Sequence, residues 1–233
     1  MNWNLSKFKA IAGKLYQILK EGCIMVWIVG DAVIGGGESL SSFRQAIYFG
    51  ELGFRLHDTM IYEKNSASFP AKKGSKRYTQ IFEYMFVFVK GDIRQDIELL
   101  VDKPNKYAGQ YSWGNITYYE KDGKLVQKGS SLMIGEYGMR NNIWKYNVGL
   151  DRDNKEIRHP AIFPEKLAED HIKSWSVKGD TVLDPFAGSM TTGKMAVLNG
   201  RQFIGIEMNP EYYAKGKERV ERAEALYSSY LIK

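Results

Sequence analysis

Apolar positions along the 233-residue chain change period several times, and each change marks an element. Leu5, Phe8, Ile11, Leu15, Ile18 and Leu19 recur at helical spacing with Lys and Glu between them, and Gly22 stops the pattern. The unbroken run Cys23–Val29 predicts a strand buried on both faces. Helical spacing returns from about Leu40 to Leu52, with Phe43, Ala46 and Ile47 inward and Gly53 as the stop. Two strands follow, Leu56 to Glu63 and Gln80 to Val89, the second dense in aromatic and β-branched residues. From Gly91 to Ile157 periodicity fades into glycines, lone aromatics and polar residues, over a span too long for an ordinary connection. Leu167, Ile172 and Trp175 restore a helix, which Gly179-Asp180 ends. A terminal helix after Glu211 places Tyr213, Gly216, Val220, Ala223 and Tyr227 on one stripe, with a charged, solvated face over Lys215 to Glu224.

Between those last two helices lies a denser pattern. Thr181, Val182 and Leu183 predict a short strand ending at Asp184, and Pro185-Phe186-Ala187-Gly188-Ser189 turns the chain. A helix opens near Thr191 or Thr192, buries Met195, Ala196 and Leu198, and stops at Gly200, a residue suited to a left-handed helix end. Phe203–Ile206 is a second strand with Glu207 at its tip. This is a βαβ unit with a glycine turn at the carboxyl end of its first strand, where α/β sheets bind ligands. Gly188 has no Cβ, so a ligand can lie against its backbone. The following helix start offers free N–H groups and a partial positive charge. A carboxylate at the second strand's tip suits a pair of ribose hydroxyls, so a nucleoside cofactor is the natural occupant. Glycine spacing alone leaves a ligand-free packing turn equally open. The turn also lacks the G-x-G-x-x-G spacing of dinucleotide enzymes, and Gly35-Gly36-Gly37 lacks the Lys-Ser/Thr ending of a phosphate loop and reads as a mobile loop.

Composition narrows the classes. With 44% apolar residues the chain can build a core, and a net charge of +6 favours a polyanionic partner. Lys64, Lys72, Lys73, Lys76 and Arg77 fall in one loop without an acid, between the two central strands. That loop reads either as a solvated surface or as a phosphate-contacting one. By contrast 91–157 holds ten basic and ten acidic residues and is neutral. Cys23 is the sole cysteine, which excludes an intrachain disulfide and a cysteine-based metal site and fits a reducing cytoplasm. No apolar run approaches the roughly 20 residues needed to span a bilayer, so no membrane is expected.

The wording of the turn goes further than its spacing. Asp184-Pro185-Phe186-Ala187-Gly188-Ser189, then Thr191-Thr192-Gly193 and Gly205-Ile206-Glu207, closely resembles the S-adenosylmethionine site of bacterial and phage site-specific DNA amino-methyltransferases, which methylate adenine N6 or cytosine N4. His159-Pro160, followed by Phe163-Pro164-Glu165-Lys166-Leu167, resembles the segment preceding that turn in the permuted subclass, where the catalytic half comes first. The resemblance implies an α/β fold: a Rossmann-like methyltransferase sheet with an inserted, irregular target-recognition segment. It implies a catalytic half over residues 1–90, a target-recognition insertion over 91–157 and a cofactor half over 158–233. Asp184, Phe186, Gly188, Ser189, Thr191 and Thr192 would line the methionine end of S-adenosylmethionine. Glu207 would hold the ribose, and Phe163, Pro164 and Leu167 would pack near the cofactor from the other side. Double-stranded DNA becomes the expected partner, with Lys72, Lys73, Lys76, Arg77 and Arg140 as its contacts. Asn141 and Asn142 also have side chains able to read bases or to cap turns. Adenine is the default target.

Two departures from the family pattern stand out. Met190 replaces a glycine, which implies strain if that position needs a positive φ, a side chain competing for room with the methionine end, and weakened cofactor binding. The family's catalytic tetrapeptide, a polar residue followed by Pro-Pro and an aromatic, is absent, because no two of the six prolines are adjacent. Its strand belongs between the cofactor strand and Cys23–Val29, so the chain reads as N-terminally incomplete. A second chain supplying that strand, a homodimer, and a non-catalytic DNA- or partner-binding remnant all remain open.

Overall fold

The computed structural model describes residues 4–67, 73–74, 76–112, 115–129, 132–147 and 163–231. The elements in order are α1 (Leu5–Ile18), β1 (Ile24–Val29), β2 (Val33–Ile34), β3 (Gly37–Glu38), α2 (Ser41–Glu51), β4 (Phe54–Lys64), β5 (Phe82–Lys90), β6 (Lys103–Pro104), β7 (Asn115–Tyr119), β8 (Leu125–Gly129), β9 (Tyr137–Gly138), β10 (Ile143–Tyr146), α3 (Glu165–Trp175), β11 (Thr181–Asp184), α4 (Thr191–Leu198), β12 (Gln202–Gly205) and α5 (Pro210–Leu231). They form two compact units, one of residues 1–98 with 142–233 and one of residues 99–141.

The larger unit holds a four-stranded sheet in the order β1-β5-β4-β10 and a parallel pair, β11-β12. β5 runs antiparallel to both β1 and β4, and β10 joins β4 in parallel. Alternation along β5 explains the layers. Phe86 and Phe88 pack with Phe8, Ala12 and Leu15 of α1 and Phe49 of α2, rings meeting edge to face as at Phe8–Phe49, 5.2 Å and 88°. Met85, on the opposite face, meets His171 of α3. β5 is therefore the strand buried on both faces, continuously from Met85 to Val89.

β1 does not meet its expectation of burial on both faces: only Met25 is buried, and the rest of the run is half-exposed. The reason lies at its edge. β5 is its one ladder partner among the described residues, and β11 likewise pairs only with β12. The two strands are nevertheless neighbours. Leu183 of β11 packs against the α1–α2 core, and the Phe186 ring stands 6.0 Å from that of Trp27 on β1.

Two further corrections concern helix faces. Phe43 and Ile47 of α2 do not point inward, being 43% and 63% exposed; the buried face is Ser42, Gln45 and Phe49. Polar groups take the inner positions because partners await them there. Trp27 Nε1 donates to Gln45 Oε1 at 2.7 Å, and Ser42 donates to Asp31 through both its amide and its hydroxyl. Asp31 also accepts from Ser39 and Ser41 hydroxyls, 2.8 Å each, and so caps a helix whose own N-cap, Leu40, offers no side-chain bond. Burial raises the Asp31 carboxyl, but the hydroxyls of Ser42, Ser39 and Ser41 and the Ser42 amide outweigh it and bring it down to about 2. In α5 the charged face is not uniformly solvated: Arg219 is 6% exposed, between buried Gly216 and Ala223.

The smaller unit holds two antiparallel pairs, β6-β9 and β7-β8. Arg140 is paired there with Asp102, and Lys103 donates to Asn141 at 3.2 Å.

Candidate functional site

The parallel pair builds the site. Thr181–Asp184 and Gln202–Gly205 align in register, and the pairing runs on past β11: Ile206 N donates to Asp184 O at 2.9 Å and Ala187 N to Ile206 O at 3.0 Å. The turn after Asp184 is thereby laid beside the tip of β12. Asp184 Oδ1 accepts from Phe186 N at 2.9 Å and starts the bend. Gly188 and Met190 both take the left-handed conformation, φ 50° and 55°. Only glycine does this without strain, so Met190 confirms the positive φ expected of its position.

Glu207 closes the arrangement. Its Oε2 accepts from Gly188 N at 2.8 Å and its Oε1 from Asn209 N at 2.7 Å. A backbone donor of the glycine turn and the carboxylate at the second strand's tip thus face each other. Gly205 must stay bare, since a Cβ there meets Phe203 Cε1 at 2.7 Å and Ala187 Cβ at 3.1 Å. α4 begins at Thr191 with no side-chain cap, leaving its start to external acceptors. Phe186, Ile206 and Met208 are exposed and give the rim an apolar surface. Donors at a helix start, a carboxylate and an apolar rim fit a nucleoside bearing an anionic tail.

The structure brings Asp184, Phe186, Gly188, Ser189, Thr191, Thr192 and Glu207 together at one end of β11 and β12. Ser189 and Thr191 differ from the expected role: both are buried, with hydroxyls facing the Arg219 guanidinium at 3.4 and 3.0 Å. What they leave for a ligand is main chain. Met190 faces α5. Its side chain is buried there, where a Cβ on Gly216 meets its Cγ at 2.6 Å. A cavity of about 290 Å³ opens on that same side, between β12 and α5, lined by Met190, Phe203, Gly205, Tyr213 and Val220. It touches the turn only at Met190 and is distinct from the Gly188–Glu207 face.

Phe163 packs into the α3–α4 core with Ala168, Ile172, Met195 and Ala196. Pro164 is the N-cap of α3, and Leu167 is fully buried. The His159–Ile162 segment and Lys72 lie outside the described residues. Lys73 and Lys76 are exposed. Arg77 donates to the Gly36 carbonyl and lies 3.8 Å from Glu38, so this residue rests on the glycine hairpin that follows β1. Asn142, just before β10, donates to Thr59 O in the middle of β4 at 3.0 Å, a bond between neighbouring strands. Among the described residues no group of His, Cys, Asp and Glu is arranged to hold a metal, and no helix is long and apolar enough to cross a membrane.

Sequence reasoning missed Arg219. Its Nη1 donates to Ser189 O at 3.2 Å and its Nη2 to Glu165, which also accepts from Lys194 at 2.7 Å. Burial raises the Glu165 carboxyl, yet Lys194 and Arg219 together hold it below its ordinary value. The available signal was positional: Arg219 falls three residues after Gly216 and four before Ala223, on the apolar stripe.

Comparison with known proteins gives the family and the fold. The family described as DNA methylase (N6_N4_Mtase) matches residues 3–218. The orphan methyltransferase M.BamHII of Bacillus amyloliquefaciens is 51% identical over 217 residues, covering 92% of this chain and 80% of that protein. The DNA adenine methyltransferase YhdJ of Escherichia coli K12 is 44% identical over 93 residues, 40% of this chain and 31% of that protein. Among solved structures, the cytosine-N4-specific PvuII DNA methyltransferase superposes with a TM-score of 0.67 at 22% identity, covering 96% of this chain and 75% of that one. The M1.HpyAVI–SAM complex gives 0.60 at 23%, covering 92% and 82%. At such identities these two establish the shared fold alone, a Rossmann-like methyltransferase architecture.

Proposed function

The chain belongs to the DNA methylase family that matches it over residues 3–218, and on that premise we propose that it binds S-adenosylmethionine at the Gly188–Glu207 turn and serves methyl transfer to an exocyclic amino group of double-stranded DNA, adenine N6 rather than cytosine N4. One observation carries the reading: Gly188 N and the Glu207 carboxylate meet at 2.8 Å at the carboxyl ends of two parallel strands. The cofactor, when bound, supplies an electrophilic methyl on a sulfonium. Glu207 would accept from the ribose hydroxyls, the uncapped start of α4 would take the carboxylate of the methionine tail, and the exposed Phe186 ring would line the methionine end. For DNA, the basic loop neutralises phosphates, which makes binding fall steeply with salt. The preference for adenine rests on the stretch shared with an adenine methyltransferase.

The grip on the target amino group needs the family's tetrapeptide, which does not occur in these 233 residues. The target base must leave the stack to reach any such grip. We assign it to a strand docking between the edges of β1 and β11 that carry no ladder partner among the described residues, both lined by half-exposed apolar side chains and neighbours through Trp27 and Phe186. The same absence supports a second reading, a non-catalytic protein that binds DNA or a partner.

The test has two arms. Titration with S-adenosylhomocysteine is expected to show one site, and Glu207→Ala to weaken it about 10- to 100-fold, the worth of hydrogen bonds to a charged group. A wild-type chain that takes up none at high protein concentration removes the cofactor reading. In the second arm the polypeptide alone is expected to transfer little or no labelled methyl to duplex DNA. Robust labelling refutes the need for a docked strand, whereas a salt-sensitive gel shift without labelling is expected of both readings.

A further inference from the structure

We propose that Arg219, on the terminal helix α5, is a positioning residue for the cofactor turn; this rests on the reading that the turn holds S-adenosylmethionine. The turn is an unstable piece of backbone. Two of its three consecutive residues 188–190 sit in the left-handed region, one of them a methionine, and such geometry persists only where surroundings over-determine it. The residue between them, Ser189, is the one whose carbonyl Arg219 holds, at 3.2 Å. The same nitrogen reaches Thr191 Oγ1 at 3.0 Å, at the first position of α4. The guanidinium is 6% exposed, and its other nitrogen is fixed by Glu165 of α3, itself held by Lys194 of α4.

α5 therefore grips the turn twice with residues three apart on one face: Gly216 receives the Met190 side chain and Arg219 takes the Ser189 carbonyl. The planar fork matters, because a single ammonium cannot serve a carbonyl, a hydroxyl and a carboxylate in fixed directions. Arg219 touches no reacting atom in this scheme. It fixes the direction in which the Gly188 and Thr191 main chain faces the ligand.

The experiment compares wild type, Arg219→Met, Arg219→Lys and Ala223→Gly, the last removing a buried methyl from the same helix one turn beyond Arg219. Each is titrated with S-adenosylhomocysteine well below its melting temperature, and hydrogen exchange at residues 188–191 is followed by mass spectrometry. Expected are a Kd raised at least tenfold and faster exchange at the turn for Arg219→Met, about threefold for Arg219→Lys, and a lowered Tm with unchanged Kd for Ala223→Gly. A Kd for Arg219→Met within twofold of wild type overturns the proposal, as does Ala223→Gly weakening binding as much. If Arg219→Met does not fold, Arg219→Lys decides: an unchanged Kd overturns the proposal and a raised one supports it. If wild type itself binds no ligand, the cofactor reading fails separately, and turn exchange alone decides: unchanged protection in Arg219→Met overturns the positioning role.

Discussion

Met190 and Gly216 form a knob and a hole, and their exchange is predicted to be strongly non-additive. Replacing Met190 by Gly relieves a left-handed residue, a gain of about 1 kcal/mol. It also removes a buried side chain, 5% exposed, at a cost of roughly 2–4 kcal/mol. The vacated space joins the 290 Å³ cavity, whose rim includes Lys217, Glu221 and Glu224, so water enters and the cost stays near the lower bound. Met190→Gly is therefore expected to destabilise by about 1–2 kcal/mol in total. In the wild type, Gly216→Ala forces a Cβ to 2.6 Å from Met190 Cγ and 3.2 Å from its Cβ, and the Cβ is fixed by the backbone while the Cγ moves only if the buried side chain changes rotamer. Overpacking of about 1–3 kcal/mol then cancels or exceeds the roughly 1 kcal/mol that alanine gains in a helix. In the Met190→Gly background the obstacle is gone and Gly216→Ala becomes stabilising by about 1 kcal/mol. The coupling is then about 2 kcal/mol, measurable by urea denaturation of the four proteins at 25 °C. Effects that add within about 0.5 kcal/mol refute the placement of the Met190 side chain. The same set tests whether this methionine weakens cofactor binding: with its side chain on α5, Met190→Gly is expected to change S-adenosylhomocysteine affinity by less than about threefold.

Two predictions concern other parts of the larger unit. His171 is buried against Trp144 and Met85, and burial pushes it down to about 3 despite the opposing pull of Asp170. Unfolding releases it to an ordinary value near 6.5, so its contribution is full above that pH and is lost at about 1.4 kcal/mol per pH unit as pH falls toward 3. Denaturation midpoints of His171→Phe should lose that slope between pH 6 and 4, and an unchanged slope counts against a buried neutral ring. Asp31→Ala removes the cap of α2 and leaves three serines without their acceptor, costing about 1–2 kcal/mol at pH 7. Because the folded carboxyl lies lower, at about 2, the wild-type advantage over Asp31→Ala is present above pH 4 and should shrink as pH falls toward 2; a difference independent of pH there refutes the charged cap.

The elements of the larger unit were largely legible because their signals are local. Gly200 ends α4 with φ 76°, and α4 starts at Thr191, both as spacing and glycine chemistry require. What the sequence hid was set by distant partners. α2 turns Ser42 and Gln45 inward because Asp31 and Trp27, 11 and 18 residues away, satisfy them. Arg219 is buried because Glu165 lies across from it, 54 residues away. The direction of the Met190 side chain depends on a missing Cβ in another helix. β10 was invisible as a strand because its four residues follow an aperiodic stretch and take their meaning from the edge of β4. β1 read as doubly buried because an apolar run reports what a strand is fit for, while burial depends on what lies beside it.

The path of the chain between β5 and β10 has an evolutionary consequence. It leaves at Lys90 and returns at Ile143 beside β4, the immediate neighbour of β5. Exit and re-entry are thus both anchored on β4, opposite Phe54 and Ile61, and lengthening such an excursion is penalised only logarithmically. Residues 99–141, a compact unit in themselves, can accordingly change in length and sequence while the four-stranded sheet keeps its pairing.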